Sequence, residues 1–186
     1  MLFVIENLEP RLSDWLCIEY TNSAKILGKD LLITNIKNPS EFRKLSKIAK
    51  VETKRARALF KKGDIILLDP LARKALAPAD FGAESVILIG GILGNDPPIG
   101  RTRELLANNF PDAKIRNIAK HQFSIDGAAY VAKQVSLGKP LEKVPIKVGL
   151  ELNLSRGYSN FLPYAFPLVK GKPMISRELI EYLKRH

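Results

Sequence analysis

The fold is decided around residues 86–102, VILIGGILGNDPPIGRT. A run of four apolar residues ends in the double glycine Gly90-Gly91, and a loop with two prolines then leads to Arg101 and a helical pattern. This order predicts a buried strand that feeds a shaped loop at its carboxyl end, where open α/β sheets bind ligands. Taken alone, the two glycines are better explained by a tight turn than by a binding site.

Apolar runs elsewhere in the chain predict further strands, and helical patterns lie between them. The predicted strands cover residues 2–5, 31–34, 64–68 and 114–118, and helices are predicted to begin near Ser13, Asn38, Thr102 and Ser124. The alternation of strand and helix predicts an α/β fold, with a parallel sheet that carries helices on both faces.

The last part of the chain has a different character. Residues 144–154 and 164–169 predict extended segments, Gly171 lies in a predicted turn, and Ser176 is placed to cap a final helix. We therefore predict a single domain with two parts. Residues 1–143 form the core, and residues 144–186 form an extended and helical appendage packed on it.

The chain is strongly basic. It has 186 residues with 30 lysines and arginines against 19 acidic residues, a formal net charge of +11. Such an excess favours an acidic partner, most often nucleic acid, although a lysine-rich solvated surface explains it equally well. The excess is densest between Lys37 and Lys62, where a nucleic-acid or ribosomal contact is the alternative to a solvated face.

Several classes of site are excluded by residue counts and missing motifs. The single cysteine, Cys17, cannot form an internal disulfide and fits a reducing cytoplasm, which we expect as the location. With one cysteine and two histidines, we predict no metal site. No apolar run is long enough to span a membrane, so no membrane partner is expected. A P-loop and a G-x-G-x-x-G motif are both absent, which argues against P-loop NTPases and Rossmann dehydrogenases.

Three predicted strands end in polar or glycine-rich loops, at 69–70, 90–102 and 117–124. Loops that follow neighbouring parallel strands can build one pocket at the carboxyl edge of the sheet. Glu6 and Asp69 follow strands and could accept a proton there, with capping as the alternative role. Arg101 could hold a carboxylate or a phosphate, and its alternative is a surface arginine in a first helical turn.

Three blocks of this sequence resemble the SPOUT methyltransferases, in the group related to the eukaryotic ribosomal-protein arginine methyltransferase and also described as predicted RNA methyltransferases. The blocks follow one another along most of the chain. They are Gly90-Gly91-Ile92-Leu93-Gly94 with Pro97-Pro98 and Arg101-Thr102; Val4-Ile5-Glu6 with Glu9, Ser13, Trp15 and Ile18-Glu19-Tyr20; and Gln122, Ser124, Asp126 and Ala128, followed by Gly138-Lys139-Pro140-Leu141.

This resemblance implies a SPOUT fold with a carboxyl-terminal trefoil knot that binds S-adenosylmethionine in a bent form. The loops at 90–102 and 117–124 would then be the knot loops, and their backbone groups would hold adenine and ribose. The residues implied to bind the cofactor are Ile89, Gly90, Gly91, Ile92, Leu93, Gly94, Asn117, Ile118, Gln122, Phe123 and Ser124.

The resemblance implies methyl transfer to RNA or to an arginine of a ribosomal protein. An arginine acceptor needs carboxylates that hold its guanidinium and take its proton. Glu6 and Asp69 are the first choices, and Glu9, Glu19 and Asp96 are further candidates. An RNA acceptor would need Arg101 and the basic stretch to grip phosphate.

Two questions stay open at this stage. The alternative to an enzyme is a non-catalytic RNA- or ribosome-binding module that retains the fold. The chain could also act as a monomer or as a homodimer.

Overall fold

The computed structural model describes residues 1–60, 63–94, 100–155 and 158–185. Its centre is a six-stranded sheet in the order β3-β2-β1-β5-β4-β6, and every neighbouring pair in it is parallel. The strands β1 and β5 pair along six residues in the middle of this sheet. The six strands are β1 (Leu2–Asn7), β2 (Leu31–Thr34), β3 (Lys50–Val51), β4 (Ile65–Leu68), β5 (Val86–Gly91) and β6 (Lys114–Arg116).

The longer helices begin at hydroxyl or amide side chains that satisfy their free backbone N–H groups. Ser13 accepts a hydrogen bond from the N–H of Leu16, and Ser124 accepts one from the N–H of Gly127. The first helix ends at Gly28, whose φ of +63° suits glycine. The helices are α1 (Asp14–Leu27), α2 (Pro39–Leu45), α3 (Ala56–Leu59), α4 (Arg101–Leu105) and α5 (Ile125–Ser136).

Alternating side chains of the sheet build two hydrophobic layers. Ile5, Ile87 and Ile89 face α1 and α5, where they join the larger cluster of buried residues. Val4 and Leu88 face the opposite side, in a cluster that includes residues of α3 and of the 3₁₀ turn Ala107–Asn109. The predicted parallel sheet with helices on both faces is therefore confirmed.

The C-terminal residues form an antiparallel hairpin and a helix. These are β7 (Ile146–Ser155), β8 (Tyr158–Val169), the short β9 (Lys172–Pro173) and α6 (Arg177–Leu183). Leu162, Phe166 and Leu179 pack in a third cluster against Trp15 of α1. The N–H of Ala165 also donates to the carbonyl of Gln122 at 2.8 Å, so β8 holds the loop between β6 and α5. The division at residue 143 stays a prediction.

The structure differs from the sequence prediction in its short elements. The strand β3 and the helix α3 were not predicted, because two and four residues carry no readable periodicity. The helix predicted from Thr102 to Asn109 is split, since Leu106 leaves the helical region at φ −126°. The extended segment predicted from residue 164 begins at Tyr158. None of the helices in the described ranges is long and apolar enough to cross a membrane.

Candidate functional site

A narrow cleft lies at the carboxyl edge of the sheet, where β4, β5 and β6 end. The three loops named from the sequence, which follow these strands, line it together. Its walls are apolar, with a few polar groups at the rim. The lining residues are Leu68, Asp69 and Pro70 at the end of β4 and after it; Ile89, Gly90, Ile92 and Thr102 from the end of β5 to the start of α4; and Ile118, His121, Gln122, Phe123, Ser124, Ile125 and Ala128 from the loop after β6 and from α5.

Most of the residues implied to bind the cofactor lie in the cleft wall, but four do not line it: Gly91, Leu93, Gly94 and Asn117. Asn117 is buried and anchors the loop after β6, since it donates to the carbonyl of Ala72 and accepts from the N–H of Ala119. Ala119 has a φ of +99°, a strained conformation that this contact supports. Leu93 and Gly94 line a neighbouring slot. The cofactor-binding roles of all these residues stay predictions.

Two glycines, one at the end of β5 and one just after it, are required by close packing. A Cβ atom on Gly91 would lie 2.2 Å from the hydroxyl of Tyr20 and 2.7 Å from the carbonyl oxygen of Glu6. A Cβ atom on Gly94 would lie 2.2 Å from Cδ of Gln122. These glycines therefore let the chain after β5 approach α1 on one side and the loop after β6 on the other.

Arg101 braces the segment after β5 from outside the cleft. Its Nη1 donates to the carbonyl of Leu93 at 3.2 Å, and its Nη2 lies 3.5 Å from Oε1 of Glu9. The N–H of Leu93 donates to the same carboxylate oxygen at 3.2 Å. Arg101 and Glu9 thus both bind the backbone of Leu93 and fix the loop after β5 at that residue. The candidate Asp96 and the two prolines lie outside the described residues.

Asp69 is a buried acid of the cleft wall, with its carboxylate held in place. Oδ1 accepts from the N–H of Leu71 at 2.9 Å, and Oδ2 lies 3.2 Å from Nη2 of Arg103. The guanidinium of Arg103 neutralises the carboxylate of Asp69, and the Arg103 side chain itself is half exposed. Asp69 therefore orders the loop after β4 and forms part of the cleft wall.

Glu6 is separated from the cleft by the sheet. Its position in β1 has the parity of Val4, so it points to the layer that contains α3. Its Oε2 accepts from the N–H of Ala56 at 2.5 Å and from the hydroxyl of Thr34 at 3.2 Å. This placement favours a structural contact that caps α3, and a catalytic role for Glu6 stays a prediction.

A second space, which we call the slot, adjoins the cleft. Ile92, Phe123 and Ser124 line both spaces, so the two share a wall. The slot alone adds Trp15 and Glu19 from α1, Leu93 and Gly94 after β5, and Tyr164 from β8.

Glu19 is almost fully buried, at 4% exposure, and its carboxylate is fixed at both oxygens. Oε1 accepts from Nε1 of Trp15 at 2.6 Å, and Oε2 accepts from the N–H of Ile125 at 2.8 Å. Burial, and then the nearby carboxylate of Asp126, raise the pKa of Glu19 from 4.5 to about 8. Burial likewise raises the pKa of Asp126, although Asn22 donates to it at 2.6 Å. The slot therefore holds a carboxyl group that can exchange a proton near neutral pH.

Sequence reasoning ranked Glu19 below Glu6 and Asp69 and gave no role to Tyr164. Glu19 lies within a helix rather than at a strand end, so its exposure to a pocket depends on packing. Tyr164 reaches the slot only because β8 folds back to the loop after β6. Among the described residues no group of three or more histidine, cysteine or acidic side chains could hold a metal ion.

Comparison with known proteins gives a consistent result. A family model described as protein arginine N-methyltransferase SFM1-like matches residues 2–186. The protein arginine N-methyltransferase SFM1 of Saccharomyces cerevisiae is 27% identical over 203 aligned residues, which cover all of this chain and 95% of the yeast protein.

Solved structures agree with this match at the level of the fold. The structure of yeast arginine methyltransferase SFM1 complexed with S-adenosylmethionine has a TM-score of 0.86 at 24% identity, covering 99% of this chain and 90% of that one. The dual-specific Trm10 of Thermococcus kodakaraensis has a TM-score of 0.62 at 18% identity, covering 77% of this chain and 96% of that one. The expected SPOUT fold is thus confirmed, while the knot stays a prediction. By its family model, this chain belongs to the SFM1-like family of protein arginine N-methyltransferases.

Proposed function

We propose that this chain transfers the methyl group of S-adenosylmethionine to an arginine side chain in a protein of the translation apparatus. Membership of the family makes the chain a methyltransferase. The acceptor is inferred from one observation, the type of ionisable side chain that lines the cleft and the slot. The residues that line the cleft and the slot include the buried acids Asp69 and Glu19, and no lysine or arginine within the described part of the chain.

This arrangement suits a cationic acceptor. A guanidinium carries a positive charge and several N–H donors, which carboxylates satisfy. RNA would need basic side chains to neutralise its phosphates. Arg101 and Arg103 come near the cleft, but each is paired with a carboxylate, Glu9 or Asp69. The acid-lined site therefore outweighs the overall charge of +11, which favoured RNA.

We assign S-adenosylmethionine to the cleft. Ile89, Ile118 and Phe123 supply apolar walls for an adenine ring, and Asp69 and Ser124 supply acceptors for ribose or amino groups. When bound, the cofactor supplies an electrophilic methyl group on a sulfonium sulfur. We assign Asp69 to bind its polar edge, and Arg101 to hold the loop after β5 in shape.

The chain's own residues must then align the acceptor and remove its proton. Alignment of the two reactants supplies much of the rate, because displacing the nitrogen lone pair from the methyl carbon by about 1 Å can cost a factor of about 100. Buried walls exclude water from the site and strengthen the contact between carboxylate and guanidinium.

A labelling experiment tests this function. The purified chain is incubated with S-adenosylmethionine labelled in its methyl group, together with ribosomal proteins freed of RNA in one sample and ribosomal RNA in another. We expect label in protein, resistant to ribonuclease and recovered as methylarginine after hydrolysis. Label confined to RNA would overturn the arginine proposal. Calorimetry with S-adenosylmethionine is the companion measurement, and no binding at millimolar cofactor would instead support a non-catalytic binding module.

A further inference from the structure

We propose that the edge of the sheet at β3 binds the phosphate backbone of folded RNA, beside the cleft and the slot and separate from them. The surface, which we call the basic edge, consists of exposed side chains on α2, β3, α3 and the adjoining loops. Its members are Lys37, Arg43, Lys44, Lys47, Lys50, Lys54, Arg55 and Arg57. This inference goes beyond the proposed function, and only the choice of RNA over DNA rests on it.

The basic edge carries a dense, exposed positive charge. Residues 37–57 contain eight basic and two acidic side chains. All eight basic side chains are exposed, whereas the acids Glu41 and Glu52 are partly buried. Within the described ranges only Lys44 of this set has an ion pair, a 3.9 Å contact with Asp14 in which both side chains are more than half exposed. Exposed pairs of this kind are weak, so the charge of the basic edge stays available to an anion.

Backbone contacts make the basic edge continuous. In the described part of the chain β3 is the last strand of the sheet and pairs with β2 alone. The N–H of Asn35, just after β2, donates to the carbonyl of Lys54 at 2.9 Å, which brings the loop after β3 beside Lys37. The helix α2 packs on one face of the sheet through Leu45, and α3 packs on the other through Ala56. The basic residues therefore occupy the edge and both of its sides.

Protection of the sheet edge does not account for this charge. A lysine on an edge strand prevents pairing with strands of other molecules. Since β3 has two residues, Lys50 and Val51, the single lysine Lys50 is enough for that purpose. The other seven basic side chains lie on helices and loops, which have no free strand edge to protect.

A crevice where β1 and β2 end brings two members of the basic edge together. Lys37 and Arg55 both line it, and so do the acids Glu9 and Glu41. Glu41 accepts a hydrogen bond from a backbone N–H at 3.0 Å, and Glu9 lies 3.5 Å from Arg101. Both acids therefore have partners within the protein, whereas neither Lys37 nor Arg55 has an ion pair in the described part of the chain. The crevice thus favours an anion such as phosphate.

The crevice also places the basic edge close to the slot. Glu9 lines the crevice and accepts from the N–H of Leu93, which lines the slot. Three strand steps separate β3 from β5, or about 14 Å at the usual spacing of about 4.8 Å. RNA on the basic edge would lie beside the acceptor without entering the cleft or the slot, where the acids Asp69 and Glu19 disfavour phosphate.

The apolar side chains of the surface identify the class of partner. The large hydrophobic side chains that are exposed in the described part of the chain all lie outside residues 37–57. A protein partner needs aromatic or aliphatic residues at the centre of the interface, and a membrane surface needs apolar anchors. A surface of lysine and arginine instead fits the phosphate backbone of a nucleic acid.

The same surface indicates which form of nucleic acid binds. Single-stranded RNA calls for aromatic side chains that stack on its bases, and the basic edge has none among its members. Double-helical RNA is recognised by its shape and its phosphates, so we expect little sequence preference. An acceptor in the translation apparatus is surrounded by RNA of this kind, which makes RNA rather than DNA the partner.

The test measures binding of the full chain to a fluorescently labelled RNA hairpin by anisotropy, over a series of salt concentrations. The variant that combines Lys47→Gln, Lys50→Gln and Lys54→Gln removes three exposed charges from the basic edge. We expect its affinity at low salt to fall at least about 10-fold, and the slope of log K against log salt to become shallower by about three. If this triple variant does not fold, Lys47→Gln and Lys54→Gln decide singly, each with a slope shallower by about one.

The matched control combines Lys143→Gln, Lys147→Gln and Lys172→Gln. It removes the same charge from exposed positions on β7, on β9 and in the turn before β7. We expect it to keep the wild-type slope and an affinity within about threefold of the wild type, because salt screens charges more than about 10 Å from the RNA. Equal thermal midpoints of wild type and both variants show that the loss of binding is not a loss of fold.

The outcomes separate the surface, the partner and the proposed function. Wild-type chain that does not bind the hairpin, a triple variant with wild-type affinity and slope, or a control that loses as much overturns the basic edge as the binding surface. Tighter binding of a DNA hairpin of the same sequence, or of polyglutamate at equal concentration of charge, overturns RNA as the partner. Wild-type chain that binds RNA through the basic edge but labels no arginine supports this inference and overturns the proposed function alone.

Discussion

The residue that most constrains the edge of the sheet is Tyr20. It is fully buried, and its hydroxyl donates to Oδ1 of Asn7 at 2.9 Å. The ring fills the space beside the end of β5, where any side chain at residue 91 would collide with it. The sequence predicts a tight turn at Gly90-Gly91, but in the structure the two glycines have different roles. Gly91 admits Tyr20, and Gly90 lines the cleft.

Gly91→Ala should destabilise the protein by about 1–3 kcal/mol, the usual cost of forcing an atom into a packed interior. The matched control is Gly90→Ala, whose added Cβ would come no closer than 3.4 Å to its neighbours. We expect this control to stay within about 0.5 kcal/mol of the wild type. Urea unfolding measures both free energies. Equal stability of the two variants would contradict the packing argument.

The buried acids Glu19 and Asp126 make stability depend on pH. The pKa values of both are raised in the folded state, so the folded chain holds more protons than the unfolded chain above pH 4.5. The free energy of unfolding should therefore fall as pH rises from about 4.5 to about 8, by at most about 1.4 kcal/mol per pH unit for one proton. The pKa values of Asp64 and Asp80 are lowered in the folded state, so these two groups change the free energy of unfolding only below about pH 3.8.

Glu19→Gln tests this linkage, because it removes the titrating group and keeps the shape of the side chain. Unfolding free energies measured at intervals between pH 5 and 8 should give a flatter profile for the variant than for the wild type. The same slope in both proteins would show that Glu19 titrates normally.

At the scale of the element, the N-cap of α5 supports both the fold and the site. Ser124→Ala removes the acceptor for the N–H of Gly127, and Asn38→Ala removes the acceptor for Ser40 and Glu41 at the start of α2. Each change should cost about 1 kcal/mol of stability. Only Ser124 lines the cleft, so only its variant should also weaken S-adenosylmethionine binding in calorimetry. Equal affinities would remove Ser124 from the binding site.

These caps also show why some elements could be predicted. Ser13 and Ser124 act on N–H groups three residues away, so the sequence alone carries the whole interaction. The strand β3 depends on pairing with β2, and α3 depends on Glu6, which lies 50 residues earlier and accepts from Ala56. Elements of this kind leave no local pattern to read.

At the scale of the whole molecule, the C-terminal hairpin and helix share their packing with α1. Trp15, the single tryptophan, packs in the same cluster as Leu162 and Phe166. The shared cluster predicts one cooperative transition. Urea unfolding followed by tryptophan fluorescence and by far-UV circular dichroism should give the same midpoint. Two separate midpoints, with the fluorescence change first, would mean that residues 144–186 fold as an independent unit.

The distribution of charge is also a property of the whole molecule. The net charge of +11 follows from composition, yet the ionised or ionisable groups at the cleft and the slot include the acids Asp69 and Glu19, and no lysine or arginine among the described residues that line them. Composition reports the average surface, while specificity depends on the few groups that the fold gathers at one edge of the sheet.

By itself, the sequence determined the parallel α/β layout, the helix caps, the three strand-end loops and the resemblance to methyltransferases. Each of these depends on neighbours within a few residues or on a motif read in order. The tertiary structure alone decided which acids meet the cleft. It placed Glu6 behind the sheet, and it joined Glu19 to Ile125 across 106 residues of chain and Tyr164 to Gly94 across 70. Side chains that come together only in the folded chain have no common signal along the sequence, so the slot beside the glycine-rich loop emerges from packing.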